Sequence, residues 1–230
     1  MRQWLWISLV SSFLLGSCNH QGNTASGGAE QRQLVQRARG QGLVEVRQVA
    51  RDVSIDLRYA TRNNITGRAL YPRHMPCLLR PTTAARLARA QQALRAQGYG
   101  LRIWDAWRPP EVQEQLHARG QRTGLYLDPR TGWSRHCGGV SVDATLIDLQ
   151  GNEQRMPTAF DDSLAHAATD YRGADPVIRR NLHILHSAMK AAGLLPLPGE
   201  WWHFDDAEYL YTPAPVIRGS SLGLRFRFVD

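Results

Sequence analysis

The segment from position 140 to 149 begins with strict alternation: Val140, Val142, Ala144 and Leu146 fall on one side, Ser141, Asp143 and Thr145 on the other. A two-residue period belongs to a strand, so this segment is predicted as one, with Asp143 opposite the apolar stripe. A helical period appears after Asp175-Pro176, where Ile178, Leu182, Leu185 and Met189 share a stripe and Gly193 supplies a stop. Residues 82–97, dominated by alanine and leucine, predict a second helix, capped by Thr82 or Thr83 and ended by Gly98. A third begins at Pro109-Pro110-Glu111 and runs to about residue 119. Strands are predicted over 43–49, 53–59, 101–107 and 201–204, a loop over 61–76 and a turn over 194–199. Strands and helices are mixed without a βαβ repeat. The expected class is α+β: one domain, a largely antiparallel sheet and flanking helices around a cleft.

The first eighteen residues follow another pattern. Arg2 gives a positive start, residues 4–15 are mostly apolar, and Leu15-Gly16-Ser17-Cys18 closes the run with small residues. The run is too short for a comfortable membrane span and has the flanks of an export signal. It resembles a bacterial lipobox, in which Cys18 would carry lipid; the other reading is a plain secretory signal. Residues 19–40 read as a polar tether, helical over 29–39, and the folded domain is expected over 41–230. Asn19 after the cysteine points to an outer membrane in a two-membrane cell. The expected location is therefore exported and periplasmic, with a membrane contact through the lipid. In such a compartment Cys77 and Cys137 either pair as a disulfide or stand as two separate buried thiols.

Composition adds little. A length of 230 residues, 43% hydrophobic and 21% charged, suits one folded body and an export segment. The net charge of +8 is carried almost wholly by arginine, with Lys190 the one lysine. These arginines are scattered among acids, with no basic block or aromatic-interleaved patch, so no nucleic-acid partner is expected.

The chemistry lies in two segments, Ser134-Arg-His136-Cys-Gly-Gly-Val-Ser-Val-Asp143 and Glu200-Trp-Trp-His203. Together they offer two imidazoles, one carboxylate ligand and one spare carboxylate. A catalytic zinc site needs three protein ligands, a fourth position for water and a base. The assignment is His136, Asp143 and His203 for one Zn2+ per chain, with Glu200 as base. In a regular strand Glu200 and His203 would point to opposite faces, so Glu200 is expected in a turn and His203 on the strand. Cys137 beside His136 is not expected as a ligand, because adjacent residues in extended chain point apart.

The S-x-H-x-x-G-x-x-x-D pattern with a distant E-W-W-H resembles the zinc D-alanyl-D-alanine dipeptidases of the vancomycin-resistance type, within a wider group of peptidoglycan-cleaving D-Ala peptidases. The likeness extends to Asp56-Leu-Arg-Tyr59-Ala-Thr with Asn64-Ile-Thr-Gly67, to Trp104-Asp-Ala-Trp-Arg108-Pro109 and to Met156-Pro-Thr-Ala-Phe160-Asp161. It implies the same ligands and base. It also implies that Arg108 stabilises an oxyanion, and that Tyr59, Ser134 and Asp161 hold the ends of a dipeptide, notably its ammonium group. An arginine at a helix start is mildly disfavoured by the macrodipole, which also favours a functional reading of Arg108. Departures are Cys137-Gly138 where the family has Ser-Arg, Trp107 for a tyrosine, and a shorter stretch between Arg108 and His136.

The expected activity is hydrolysis of D-Ala-D-Ala or a similar small D-dipeptide by a metal-activated water. The alternatives are a D,D-carboxypeptidase or endopeptidase on longer wall peptides, and a non-catalytic wall-binding lipoprotein.

Overall fold

A computed structural model describes residues 22–120, 123–162 and 164–228 of the chain; Cys18 and the export segment lie outside the described residues. Its centre is a five-stranded sheet in the order β2-β4-β5-β7-β6. These are β2 (Ser54–Ile55), β4 (Tyr99–Asp105), β5 (Ser141–Asp148), β6 (Leu194–Leu197) and β7 (Glu200–Asp206). Every pairing is antiparallel except β2 with β4. β1 (Val44–Glu45) and β3 (Leu78–Leu79) form a separate antiparallel pair. The α+β expectation therefore holds, with one parallel edge.

Three helices pack around this frame: α2 (Pro81–Arg95), α3 (Pro110–Gly120) and α4 (Pro176–Ala191). Leu87, Ala90 and Leu94 of α2 and Leu182, Leu185 and Met189 of α4 join Val142, Ala144 and Leu146 of β5 in one apolar core. α4 starts as its sequence dictates. Asp175 caps it by accepting from the Val177 N–H at 2.9 Å, and Pro176 fills the first helical position, where no donor is needed. α2 starts differently from expectation. Pro81 takes its first turn and Arg80 its N-cap, so Thr83 is released from capping and donates its buried hydroxyl to Asp206 at 2.7 Å.

The first helix, α1 (Gly22–Gly40), is longer than the sequence suggests and carries Leu34 and Ala38 into the core. Among the described residues no helix is long and apolar enough to cross a membrane. The strands expected over 43–49 and 53–59 shrink to two residues each, followed by 3-10 turns at Val46–Gln48 and Arg58–Ala60. The second turn has a purpose: the Tyr59 carbonyl accepts from both Leu70 and Tyr71, pinning the following loop to the sheet. The expected turn at 194–199 is instead strand β6. Pro196 is tolerated there because β6 is an edge strand and one face of its backbone needs no partner.

Two irregularities in the sheet decide what faces the cleft. In β4–β5, Ile103 pairs with Ala144 but Asp105 pairs with Asp143, a one-residue slip at Trp104. Plain alternation would place Asp105 with Leu101 and Ile103 in the core; the bulge turns it to the side of Asp143. In β6–β7, Pro196 pairs with Phe204 but Leu197 with Glu200, so Trp201, Trp202 and His203 have no β6 partner. The strict alternation that would separate Glu200 from His203 is lost there.

The cysteine alternatives also resolve. Cys77 and Cys137 are free, buried thiols rather than a disulfide. Each is fixed by its own backbone, Cys77 through the Val46 N–H and Cys137 through the Ile217 N–H, and burial pushes the Cys137 thiol up to about 12. A thiol so desolvated is inert.

Candidate metal and catalytic site

His136 owes its position to a tight turn. The Ser134 hydroxyl accepts the His136 N–H at 3.3 Å and caps a 3-10 turn, Arg135–Gly138. Gly139 follows at φ +72°, where a Cβ would also strike Leu43 at 2.5 Å, so the Gly-Gly step is required on both counts. The turn feeds β5, and β5 aligns Asp143 directly against His203 of β7.

The three proposed ligands converge. His136 Nε2 lies 3.2 Å from Asp143 Oδ1 and 3.1 Å from His203 Nδ1, and that Nδ1 lies 3.0 Å from the same carboxylate oxygen. Donors bound at about 2.0–2.1 Å around a tetrahedral ion stand roughly 3.3 Å apart, so the triangle is the right size for zinc. The outward nitrogens agree. His136 Nδ1 donates to the Ala106 carbonyl at 2.6 Å, and His203 Nε2 donates to Asp205 Oδ1 at 2.9 Å. With a metal bound, each ring is therefore left with its inward nitrogen as an acceptor, the tautomer a metal requires. All three residues are buried. No other group of three or more such donors gathers among the described residues.

Burial alone would raise the Asp143 carboxyl, but the two imidazoles outweigh it and hold the group well below the usual carboxylate range. His203 shows the same balance: burial opposes its charge, and Asp143 and Asp205 lift it well above the ordinary imidazole value, so in the metal-free chain Nδ1 carries a proton that a bound metal would replace. Asp205 is itself anchored by the Ser141 hydroxyl at 2.5 Å and by Arg135 at 3.1 Å.

Glu200 reaches the same point. Its Oε2 is 4.0 Å from His203 Nδ1, and burial, reinforced by Asp143, raises its carboxyl to about 7. Contrary to expectation it opens β7 rather than sitting in the turn; the slip in pairing brings it within reach of His203. Arg108 is buried beside Asp143. Its Nε donates to Asp105 at 2.8 Å, Nη1 to Gln113 at 2.9 Å and Nη2 to Asp143 at 3.4 Å. A guanidinium has five N–H groups, so each terminal nitrogen keeps one for another acceptor.

Asp161, Tyr59 and Ser134 line the same cleft, a cavity of about 600 Å3. Asp161 holds φ +62°, the one non-glycine positive φ among the described residues. Its carboxylate accepts from the Tyr59 hydroxyl at 3.0 Å and the Ile65 N–H at 3.2 Å. The Ile65 donor is supplied by a loop folded around Asn64, whose side chain bonds the carbonyls of Thr61 and Arg68 at 2.8 Å each. No arginine or lysine is within ion-pairing distance of Asp161 among the described residues, and burial raises it to about 6 despite the hydrogen bonds from Ile65 and Tyr59 and the nearby Tyr126 hydroxyl and Arg108 charge.

Three participants escaped the sequence reading. Asp105 was concealed by the bulge, although a carboxylate in a stripe with Leu101 and Ile103 was a signal. Asp205 was open to inference, since two residues along a strand from His203 it must share its face. Tyr126 lies in the stretch between Arg108 and His136 and gave no signal. The histidines left without a role stay outside the ligand set; His186 donates to the Trp201 carbonyl at 2.8 Å and braces β7.

The sequence model of the Peptidase M15 family, described as D-ala-D-ala dipeptidase, matches residues 39–216. The chain is 32% identical over 163 residues to a D-alanyl-D-alanine dipeptidase of Escherichia coli K12, covering 71% of this chain and 83% of that protein. It is 30% identical over 172 residues to one from Streptomyces coelicolor, covering 65% and 83%. It is 27% identical over 187 residues to one from Enterococcus faecium, covering 71% and 90%.

Proposed function

The chain belongs to the Peptidase M15 family of D-ala-D-ala dipeptidases, and from that premise we propose that it is a zinc-dependent hydrolase of D-Ala-D-Ala or a similar D-configured dipeptide. The observation that carries the metal part is the triangle of His136 Nε2, Asp143 Oδ1 and His203 Nδ1, with edges of 3.0–3.2 Å and both outward nitrogens engaged. These residues would hold one zinc ion per chain, which when bound supplies Lewis acidity and acidifies water towards neutrality.

The remaining work falls to the chain's own groups. Glu200 Oε2 accepts the proton of the attacking water and returns it to the leaving amine. The free N–H groups of Arg108 point their charge at the carbonyl oxygen as it becomes an oxyanion. Asp161 and Tyr59 hold the substrate's ammonium end, and Ser134 offers a further hydrogen bond at the cleft wall. Trp202, buried among Phe160 and Trp201, walls the cleft against water.

Export, attachment of lipid at Cys18 and a periplasmic, outer-membrane location complete the reading. Their support is the sequence of the first eighteen residues and the polar stretch after them.

The test is a product assay on D-Ala-D-Ala, L-Ala-L-Ala and a wall pentapeptide, with and without zinc. Zinc-dependent release of D-alanine from D-Ala-D-Ala, with L-Ala-L-Ala inert, is expected. Preference for the pentapeptide would shift the reading to a carboxypeptidase. No turnover by zinc-loaded protein would leave a wall-binding role.

A further inference from the structure

We infer that Tyr126 completes a three-oxygen cage for the free ammonium group of a dipeptide and walls that end of the cleft, making it a determinant of selectivity for unblocked amino termini. The inference rests on the dipeptide reading above and extends it to a residue from the stretch where the chain departs from its family's pattern.

An ionised carboxylate offers about four lone-pair sites. Asp161 uses two, on the Tyr59 hydroxyl and the Ile65 N–H. Two sites remain. The Tyr59 hydrogen is committed to Asp161, so across the 3.3 Å between the two phenols it is Tyr126 that donates, and each phenol oxygen keeps a lone pair. The cage thus presents one carboxylate oxygen and two phenol oxygens. A primary ammonium brings three N–H donors, and so matches it in number and charge. An acetylated nitrogen brings one N–H and no charge, and leaves the buried carboxylate without a cation.

Tyr126 is also held as a fixed wall should be. Its ring lies against Gly120, where a Cβ would meet ring carbons at 2.5 Å. Its carbonyl is 3.1 Å from His117 Nδ1, and the next carbonyl, Leu127, accepts from Gln113 at 3.4 Å. Gln113 and His117 are four apart on α3 and share a face, so one helix braces two successive peptide units. Gln113 also holds Arg108, which ties the wall to the catalytic arginine.

The experiment compares the zinc-loaded parent with Tyr126→Phe and Tyr126→Ala on D-Ala-D-Ala and N-acetyl-D-Ala-D-Ala. Tyr126→Phe should raise KM for the free dipeptide about tenfold, as loss of one hydrogen bond to a charged group does, while kcat and zinc content stay near parental values. Tyr126→Ala should lower the ratio of kcat/KM for free over acetylated peptide by about tenfold or more. An unchanged KM in Tyr126→Phe, or an equal loss on both peptides, overturns the cage. Calorimetry in a Glu200→Gln background separates this inference from the activity it rests on. Amine-selective binding weakened about tenfold by Tyr126→Phe sustains the cage even if the parent hydrolyses nothing. Equal affinity for both peptides, or no binding of either, overturns it even if turnover is found.

Discussion

Asp105 stands directly opposite Asp143 in the β4–β5 ladder because the pairing slips by one residue at Trp104. Both carboxylates are buried, and Arg108 lies between them unequally, 2.8 Å from Asp105 and 3.4 Å from Asp143. The second oxygen of Asp105 takes the Tyr71 hydroxyl at 2.6 Å. Asp105 thereby claims most of the guanidinium, and Asp143 keeps Oδ1 turned towards the two imidazoles.

Asp105→Asn keeps the shape and removes the charge. Arg108 then has Asp143 as its one anionic partner and draws it from the metal. Breaking a buried ion pair costs about 3–5 kcal/mol, so a loss of about 3 kcal/mol in denaturant unfolding is expected, with weaker zinc binding by titration. Parental stability and parental zinc affinity together would remove Asp105 from this role.

Glu200→Gln should keep its zinc and lose kcat by about 100- to 10,000-fold, the usual worth of a general base. The amide fills the same space but cannot accept a proton. Metal analysis of the purified variant beside the peptide assay decides the point. Joint loss of zinc and activity would make Glu200 a ligand instead.

How far the sequence could be read follows from what each residue depends on. Alternation in β5 sufficed to turn Asp143 away from the core, because the extra residue of the slip lies in β4 while β5 itself runs without interruption. α4 was legible from Asp175 to Gly193 because cap, proline and apolar stripe all agree locally. The placement of Asp105 and Glu200 depends on register slips, which follow from pairing between distant segments and leave no periodic trace. The short strands β1 and β2 read as longer because alternation continues into 3-10 turns, whose bonds go to Cys77 and the 70s loop rather than to a neighbouring strand. Tyr126 was invisible for a related reason: it is fixed by side chains of α3 and by the distant Tyr59, contacts that leave no periodic trace.

Cys18→Ser should release the protein from the membrane fraction or block its processing, while the purified domain stays active. The export segment lies far from the cleft in sequence, and no residue of the proposed site falls before Tyr59. Fractionation with immunodetection gives the answer, and unchanged membrane association would defeat the lipid anchor.

Asp161 links activity to stability with a definite sign. Burial raises its folded-state value to about 6, above the ordinary 3.8 that an unfolded chain would show. The native state therefore holds the proton more tightly than the unfolded state, and ionisation destabilises the fold. Its neighbours offset only part of that cost in the free protein: Tyr59 and the Ile65 N–H are neutral donors, and the charge of Arg108 acts from beyond ion-pairing distance while paired with Asp105 and Asp143. Asp161→Asn retains a side chain that tolerates positive φ and carries no charge. It should make the free protein more stable than the parent by about 2–3 kcal/mol above pH 6, and the gain should fade as pH drops towards 4. The same variant should bind free D-Ala-D-Ala worse, since the ammonium loses its counter-charge. Denaturant midpoints from pH 4 to 8, at fixed zinc, test the first half and KM tests the second. A variant less stable than the parent at pH 7 would mean that the carboxylate is structural, held for the loop at Asn64 and Ile65 rather than for a substrate.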